Sequence, residues 1–176
     1  MLTLSLLRHA KSSWKNPALP DRERPLNARG MADAPAMGRA MSERGIDPEL
    51  ILCSSAQRAV DTLALVLPEL KVEPEVLYED ALYHATPEEM LDMLRGIPPG
   101  ARSVLLVGHN PEIQALALEL IGAGPKELRD RLSEKYPTGG LAVITFPAGL
   151  WSSVDVGSGS LTQFVAPRDV RGDAAS

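Results

Sequence analysis

With 176 residues, 44% of them apolar and 23% charged, the chain is long enough to enclose one sizeable core and too short for two ordinary domains; we expect one domain over 1–167 and a flexible polar tail over 168–176. No apolar stretch reaches the roughly eighteen residues of a membrane span. The run from Leu2 to Leu7 lacks the basic flank and cleavage site of a signal peptide, so the cytoplasm is the expected compartment. Eighteen basic against twenty-three acidic residues leave a net charge of −5, which excludes general affinity for nucleic acid or anionic membrane and requires any anion site to be local.

Leu4 to Leu7 reads as a buried strand running into Arg8, His9 and Lys11, followed by a loop with Trp14, Pro17, Pro20 and Pro25. A helical pattern spans Ala28 to Arg44 with Gly45 as its C-terminal cap; Pro35 inside it predicts a kink. Met31, Met37 and Met41 follow the helical spacing and read as core. Leu50 to Cys53 is a second apolar run, and its lone cysteine reads as a buried structural thiol. Ser54-Ser55-Ala56-Gln57 then matches a capping box, which sets Arg58 near the start of a helix.

Val76-Leu77 suggests a weaker strand. Thr86-Pro87-Glu88-Glu89 gives a second capping box, opening a helix to Arg95. Val104 to Val107 is the third strong run. Asn110-Pro111 is expected to cap a helix carrying Ile113, Leu116, Ala117, Leu120 and Ile121 and ended by Gly122. Lys126 to Glu134 reads as a short helix, and Leu141 to Phe146 and Trp151 to Val156 as two strands of a hairpin about Pro147-Ala148-Gly149. The alternation predicts an α/β three-layer sandwich: a mostly parallel central sheet, mixed by the C-terminal hairpin, with helices on both faces.

Each strong run ends at a polar turn bearing a cation or an imidazole: Arg8 with His9, Arg58, and His109. In an open parallel sheet such turns share the carboxyl edge, where ligands bind. Two guanidiniums, two imidazoles and two helix N-termini there would suit a phosphate-sized dianion. His84 beside Tyr83 is expected to be packed and satisfied, Arg24 to pair with an acid, and Lys11 to decorate the rim.

The segments LSLLRHAKS, DRERPLNARG, CSSAQRAVDT and VLLVGHNP resemble the histidine phosphatase superfamily, also called phosphoglycerate-mutase-like, and within it the SixA-type phosphohistidine phosphatase branch; PTGGLAVITF resembles that branch's late core strand. The resemblance implies that His9 is the nucleophile that takes up the phosphoryl group, while Arg8, Arg58 and His109 hold its oxygens. Where many members carry glycine and glutamate after the Arg-His pair, Ala10 and Lys11 stand here. The physical reading agrees, since a neutral imidazole can attack phosphorus through one ring nitrogen if the other donates to a fixed acceptor, and nearby cations stabilise the transferring group. No metal and no cofactor is required, because the arginines supply the charge. Larger members use a glutamate as general acid; the candidates here are Asp21, Glu79 and Asp80.

A weak acid favours phosphohistidine, whose imidazole departs as a neutral base once its far nitrogen is protonated, over an alkoxide ester. The segment from Leu70 to Thr86 is too short for a lid, and an open mouth suits a phosphorylated protein. Other readings are a phosphatase of small phosphate esters, a non-catalytic phosphate-binding module, and a zinc site built from His9, His84 and His109.

Overall fold

The three apolar runs become strands β1 (Leu2–Arg8), β2 (Leu50–Ser54) and, after the weaker β3 (Glu75–Glu79), β4 (Ser103–Gly108) in a computed structural model that describes residues 1–171. Short β5 (Ile121–Ala123), then β6 (Leu141–Phe146) and β7 (Gly159–Val165), complete a sheet of order β3-β2-β4-β1-β6-β7-β5. β1 pairs parallel with β4, β2 with both β3 and β4, and β5 with β7; β6 runs antiparallel to β1 and to β7. The sheet is mostly parallel and mixed at its C-terminal half, as expected.

Two apolar clusters sandwich it. Leu4, Leu6, Leu50, Leu52, Val104 and Leu106 face one side, beneath helices α3 (Pro87–Arg95), α4 (Glu112–Leu120) and α5 (Lys126–Glu134). Ile51, Cys53, Leu105 and Val107 face the other, against α1 (Ala28–Glu43) and α2 (Gln57–Val66). Strands covered on both faces favour apolar residues at every position, which is why the Leu50–Cys53 and Val104–Val107 runs show no alternation, whereas β1 carries Thr3 and the buried Ser5 between its leucines. Each leucine so enclosed contributes about 1.5–3 kcal/mol. Edge strand β3 leaves Leu77 and Tyr78 exposed, and its sequence signal is correspondingly weak.

α1 starts where the Asn27 side chain accepts from the Gly30 N–H at 2.9 Å and runs through Pro35 as one helix. It ends in a Schellman motif, with Ile46 N–H on the Met41 carbonyl, Gly45 N–H on Ser42, and Gly45 at φ 71°. Met37 and Met41 are core as expected, whereas Met31 is exposed. The Thr86–Glu89 capping box forms in both directions.

Several boundaries differ from expectation. The box at Ser54–Gln57 does not form: Ala56 is the N-cap without a side-chain bond of its own, and Ser54 Oγ accepts from the Ala56 N–H at 3.2 Å and lies 2.7 Å from His109 Nε2 instead of reaching Gln57. α4 stops at Leu120, and Ile121 and Gly122 enter β5 instead of closing the helix, since β7 offers them a parallel partner. Trp151–Ser153 is a 3-10 turn and not a strand; the last strand begins at Gly159. The indole, fully buried, packs edge-on to Phe146 at 6.3 Å and donates to the Ala101 carbonyl, tertiary contacts that outweigh its strand propensity. The segment expected to fray from 168 begins as helix α6 (Pro167–Val170), with Arg171 paired to Asp33; the rest of that tail, 172–176, lies outside the described residues. Among the described residues no helix is long and apolar enough to cross a membrane.

Candidate active site

β1 delivers His9 to the carboxyl edge with its backbone held on two sides. Its N–H donates to the Gly108 carbonyl at the end of β4 (3.1 Å), while the Gly139 N–H bonds the Arg8 and His9 carbonyls (3.0 and 2.9 Å). Gly139 does so at φ 75°, a conformation that glycine enters without a Cβ penalty. Ala10 N–H bonds Thr62 Oγ1 at 2.9 Å, so α2 also steadies this turn.

The His9 ring is polarised. Nδ1 lies 2.7 Å from the Ala10 carbonyl, which can only accept; the proton therefore sits on Nδ1 and Nε2 presents its lone pair. That lone pair faces Arg58 Nε at 3.4 Å. Burial, reinforced by Arg58, Arg8 and Arg24, lowers the His9 pKa from 6.5 to about 4, against the opposing pull of the Ala10 carbonyl. His9 is thus a neutral base at neutral pH.

His109, following β4, sits with its ring centroid 5.2 Å from that of His9, and its Nε2 is 2.7 Å from Ser54 Oγ. Burial first, then His9 and Arg58, lower its pKa to about 3. In the tautomer in which the Ser54 hydroxyl donates to Nε2, the proton lies on Nδ1; Nδ1 is buried and unpartnered among the described residues, as is Arg8 Nε. These two orphaned atoms are groups that a phosphoryl oxygen would satisfy. Arg8 is otherwise anchored by NH1 on the Tyr136 carbonyl at 2.8 Å.

The four residues Arg8, His9, Arg58 and His109, though far apart in sequence, are therefore brought to one edge. The candidate acids are placed differently. The exposed Asp21 accepts from Arg58 NH2 (3.1 Å), Arg24 NH1 (2.8 Å) and the Tyr83 hydroxyl. That hydroxyl first, then the two arginines, hold its carboxyl well below the usual carboxylate range despite some opposing burial. Asp80, exposed, is bonded by Ser55 and Arg22, which also lower its pKa. Glu79 ends β3 opposite Ser54 and makes no side-chain hydrogen bond or ion pair among the described residues.

Arg24 pairs with Asp21 as expected and stacks its guanidinium 3.2 Å over the Trp14 ring. Lys11 is exposed. His84 is exposed rather than packed, its ring 4.0 Å from that of Tyr83. Among the described residues no group of three or more His, Cys, Asp or Glu side chains is placed to hold a metal ion, so His9, His84 and His109 do not form the trio weighed above. Sequence reasoning passed over Tyr83, which links Asp21 to the site and meets His109 edge-on at 5.6 Å. Its only signal was an aromatic in a charged turn before the Thr86 cap.

Known proteins resemble the chain over most of its length. Residues 4–82 match the model of the histidine phosphatase superfamily (branch 1). The uncharacterized protein Rv1276c of Mycobacterium tuberculosis is 34% identical over 164 residues, which cover 92% of this chain and all of that one. Among solved structures, the SixA protein of Agrobacterium tumefaciens superposes with a TM-score of 0.80 at 32% identity, covering 94% of this chain and 98% of its own. The SixA protein of Nakamurella multipartitia gives 0.78 at 29% identity, with 94% and 96% covered.

Proposed function

The chain belongs to the histidine phosphatase superfamily, in its SixA-type branch, and from that premise we propose that it is a metal-independent phosphatase that removes phosphate from phosphohistidine in a protein, through a phosphoryl intermediate on His9. The observation that carries this reading is the His9 ring, its Nδ1 held by the Ala10 carbonyl at 2.7 Å and its Nε2 directed at the Arg58 guanidinium.

In the first step the Nε2 lone pair attacks phosphorus and the bond from phosphorus to the substrate nitrogen breaks; the electron pair stays on that nitrogen, and the substrate ring, whose far nitrogen already carries a proton, leaves as neutral imidazole. Arg8, Arg58 and the Nδ1–H of His109 bind the equatorial oxygens, where negative charge is held through the transfer. The Ala10 carbonyl stabilises the positive charge that appears on the His9 ring once Nε2 carries phosphorus. In the second step water attacks phosphorus, the P–N bond to His9 breaks, its electron pair returns to Nε2, and inorganic phosphate leaves carrying the water's oxygen and protons.

Asp21 serves in this scheme as a positioning residue that sets the Arg58 fork, since a carboxyl so strongly held as an anion is a poor proton donor at neutral pH. A phosphorylated imidazole that carries a proton on its far nitrogen departs as a neutral base without a donor there, which supports a phosphoramidate over an alkoxide ester.

The test is a side-by-side turnover comparison of a phosphohistidine peptide with a panel of phosphate esters, joined to labelling with a phosphodonor quenched in base. The expected result is preference for the phosphohistidine peptide and a base-stable, acid-labile phosphoryl group that is lost in His9→Ala. Preference for the esters would overturn the substrate class, and absence of the label the intermediate.

A further inference from the structure

Around the same carboxyl edge, the sheet has a second half. β1, β4 and β2 carry the candidate site. On the other flank of β1, where β6 begins and β7 ends, lies a cavity of about 500 Å³ lined by six cations: Lys11, Arg29, Arg131, Lys135, Arg168 and Arg171. It adjoins the site directly. Lys11 stands two residues beyond His9, and Lys135 precedes Tyr136, whose carbonyl anchors Arg8. Pro137 and Thr138 in its wall lead into Gly139, which bonds the Arg8 and His9 carbonyls.

Three carboxylates offset part of this charge. Asp33 binds Arg171 through both oxygens (3.1 and 3.2 Å) and lies 3.9 Å from Arg29, Asp169 pairs with Arg131 at 2.8 Å, and Glu134 stands in the wall. Lys11, Lys135 and Arg168 make no ion pair among the described residues; they come from three different segments and are all exposed. An excess of three positive charges around one cavity, in a chain of net charge −5, is the reverse of what random placement would leave.

We propose that this cavity docks an acidic segment of the protein substrate, seating the chain that flanks the phosphohistidine so that the phosphorylated ring enters between Arg8, Arg58 and His109. This rests on the phosphoprotein reading of the site given above. Two of the three unpaired cations are lysines, hydrated point charges on flexible stems; they suit several spaced carboxylates better than one phosphate, which arginine forks grip bidentately. Phe164 and Pro167 in the wall offer apolar surface to the methylene stems of glutamate side chains. The chain's overall negative charge opposes a long nucleic acid polyanion, and the cavity presents no ladder of stacking aromatics.

Two synthetic peptides phosphorylated on one histidine by phosphoramidate, one with a glutamate-rich flank and one with glutamine in its place, test this together with free phosphohistidine. The wild-type chain is expected to prefer the acidic peptide in kcat/KM by about tenfold at low salt, the preference vanishing at high salt. Lys135→Glu/Arg168→Glu should abolish the preference while turning over free phosphohistidine as before. Equal turnover of the two peptides by the wild-type chain would sink the docking proposal and leave the phosphohistidine reading standing.

If neither peptide is hydrolysed while esters are, that reading falls, and fluorescence anisotropy of a labelled oligoglutamate judges the cavity by itself. Binding that the double variant loses supports the proposal. No binding, or tighter binding of a labelled oligonucleotide of equal charge, overturns it.

Discussion

In the proposed mechanism two demands meet at His9: the ring must be buried to be aligned for attack, and burial beside Arg8 and Arg58 must keep it unprotonated. The structure satisfies both by giving Nδ1 a carbonyl and turning the unprotonated Nε2 towards the Arg58 guanidinium, with a pKa lowered to about 4. Turnover should therefore persist into mild acid and fall as pH drops through about 4, where Nε2 takes a proton; a pH–rate profile measures this. Stability follows the same groups. Between 6.5 and about 4 the unfolded chain binds protons at His9 and His109 that the folded chain refuses, so unfolding becomes easier as pH falls, by on the order of 1.4 kcal/mol per pH unit for each histidine. Below 3.8 the loss of Asp21's paired anion, whose folded pKa is depressed, adds to it. Urea midpoints across this range should show the slope, and His109→Asn should flatten it. Asp21→Asn separates positioning from acid catalysis. A positioning role predicts KM raised several-fold for every substrate with little change in dependence on the leaving group, whereas a general acid predicts a loss of about 10²–10⁴ confined to poor leaving groups.

Among elements, the turns decide more than the strands. Gly139 holds a positive φ, and its N–H ties the Arg8 and His9 carbonyls. A Cβ there would come within 2.8 Å of Pro167 Cγ. Gly139→Ala should cost about 1–2 kcal/mol of stability in backbone strain and, unlike a purely structural lesion, lower kcat by misplacing His9. Trp151 makes the opposite case. Buried between Phe146 and the Ala101 carbonyl, on the face under α3, it touches nothing at the site. Trp151→Ala should lower stability by about 3–5 kcal/mol, read from urea unfolding, with kcat unchanged in the fraction that remains folded. Both residues were hidden from the sequence for one reason. Local pattern reports which segments bury apolar faces, but whether an indole prefers a neighbour in its own strand or a carbonyl fifty residues earlier is a tertiary question.

Over the whole molecule, cores and site are separated in space: the two apolar clusters lie on the faces of the sheet, and the chemistry sits on its edge. His9→Ala should accordingly abolish turnover while leaving the far-UV circular dichroism intact and Tm within about 4 °C; unfolding would count against the assignment. The edge itself was legible beforehand, because uninterrupted apolar runs require burial on both faces, such burial requires a parallel α/β sheet, and that topology sends Arg8, His9, Arg58 and His109 to a common rim. Apolar periodicity and strand-end polarity are local properties, so the chain alone determined the layers and the four residues. Which groups pair off at the rim was decided only by the fold. Asp21 is captured by Arg58 and Tyr83, Ser54 meets His109, and the cations of segments as distant as Lys11 and Arg168 gather about one cavity, because contact between side chains depends on how strands from both ends of the chain are ordered in the sheet.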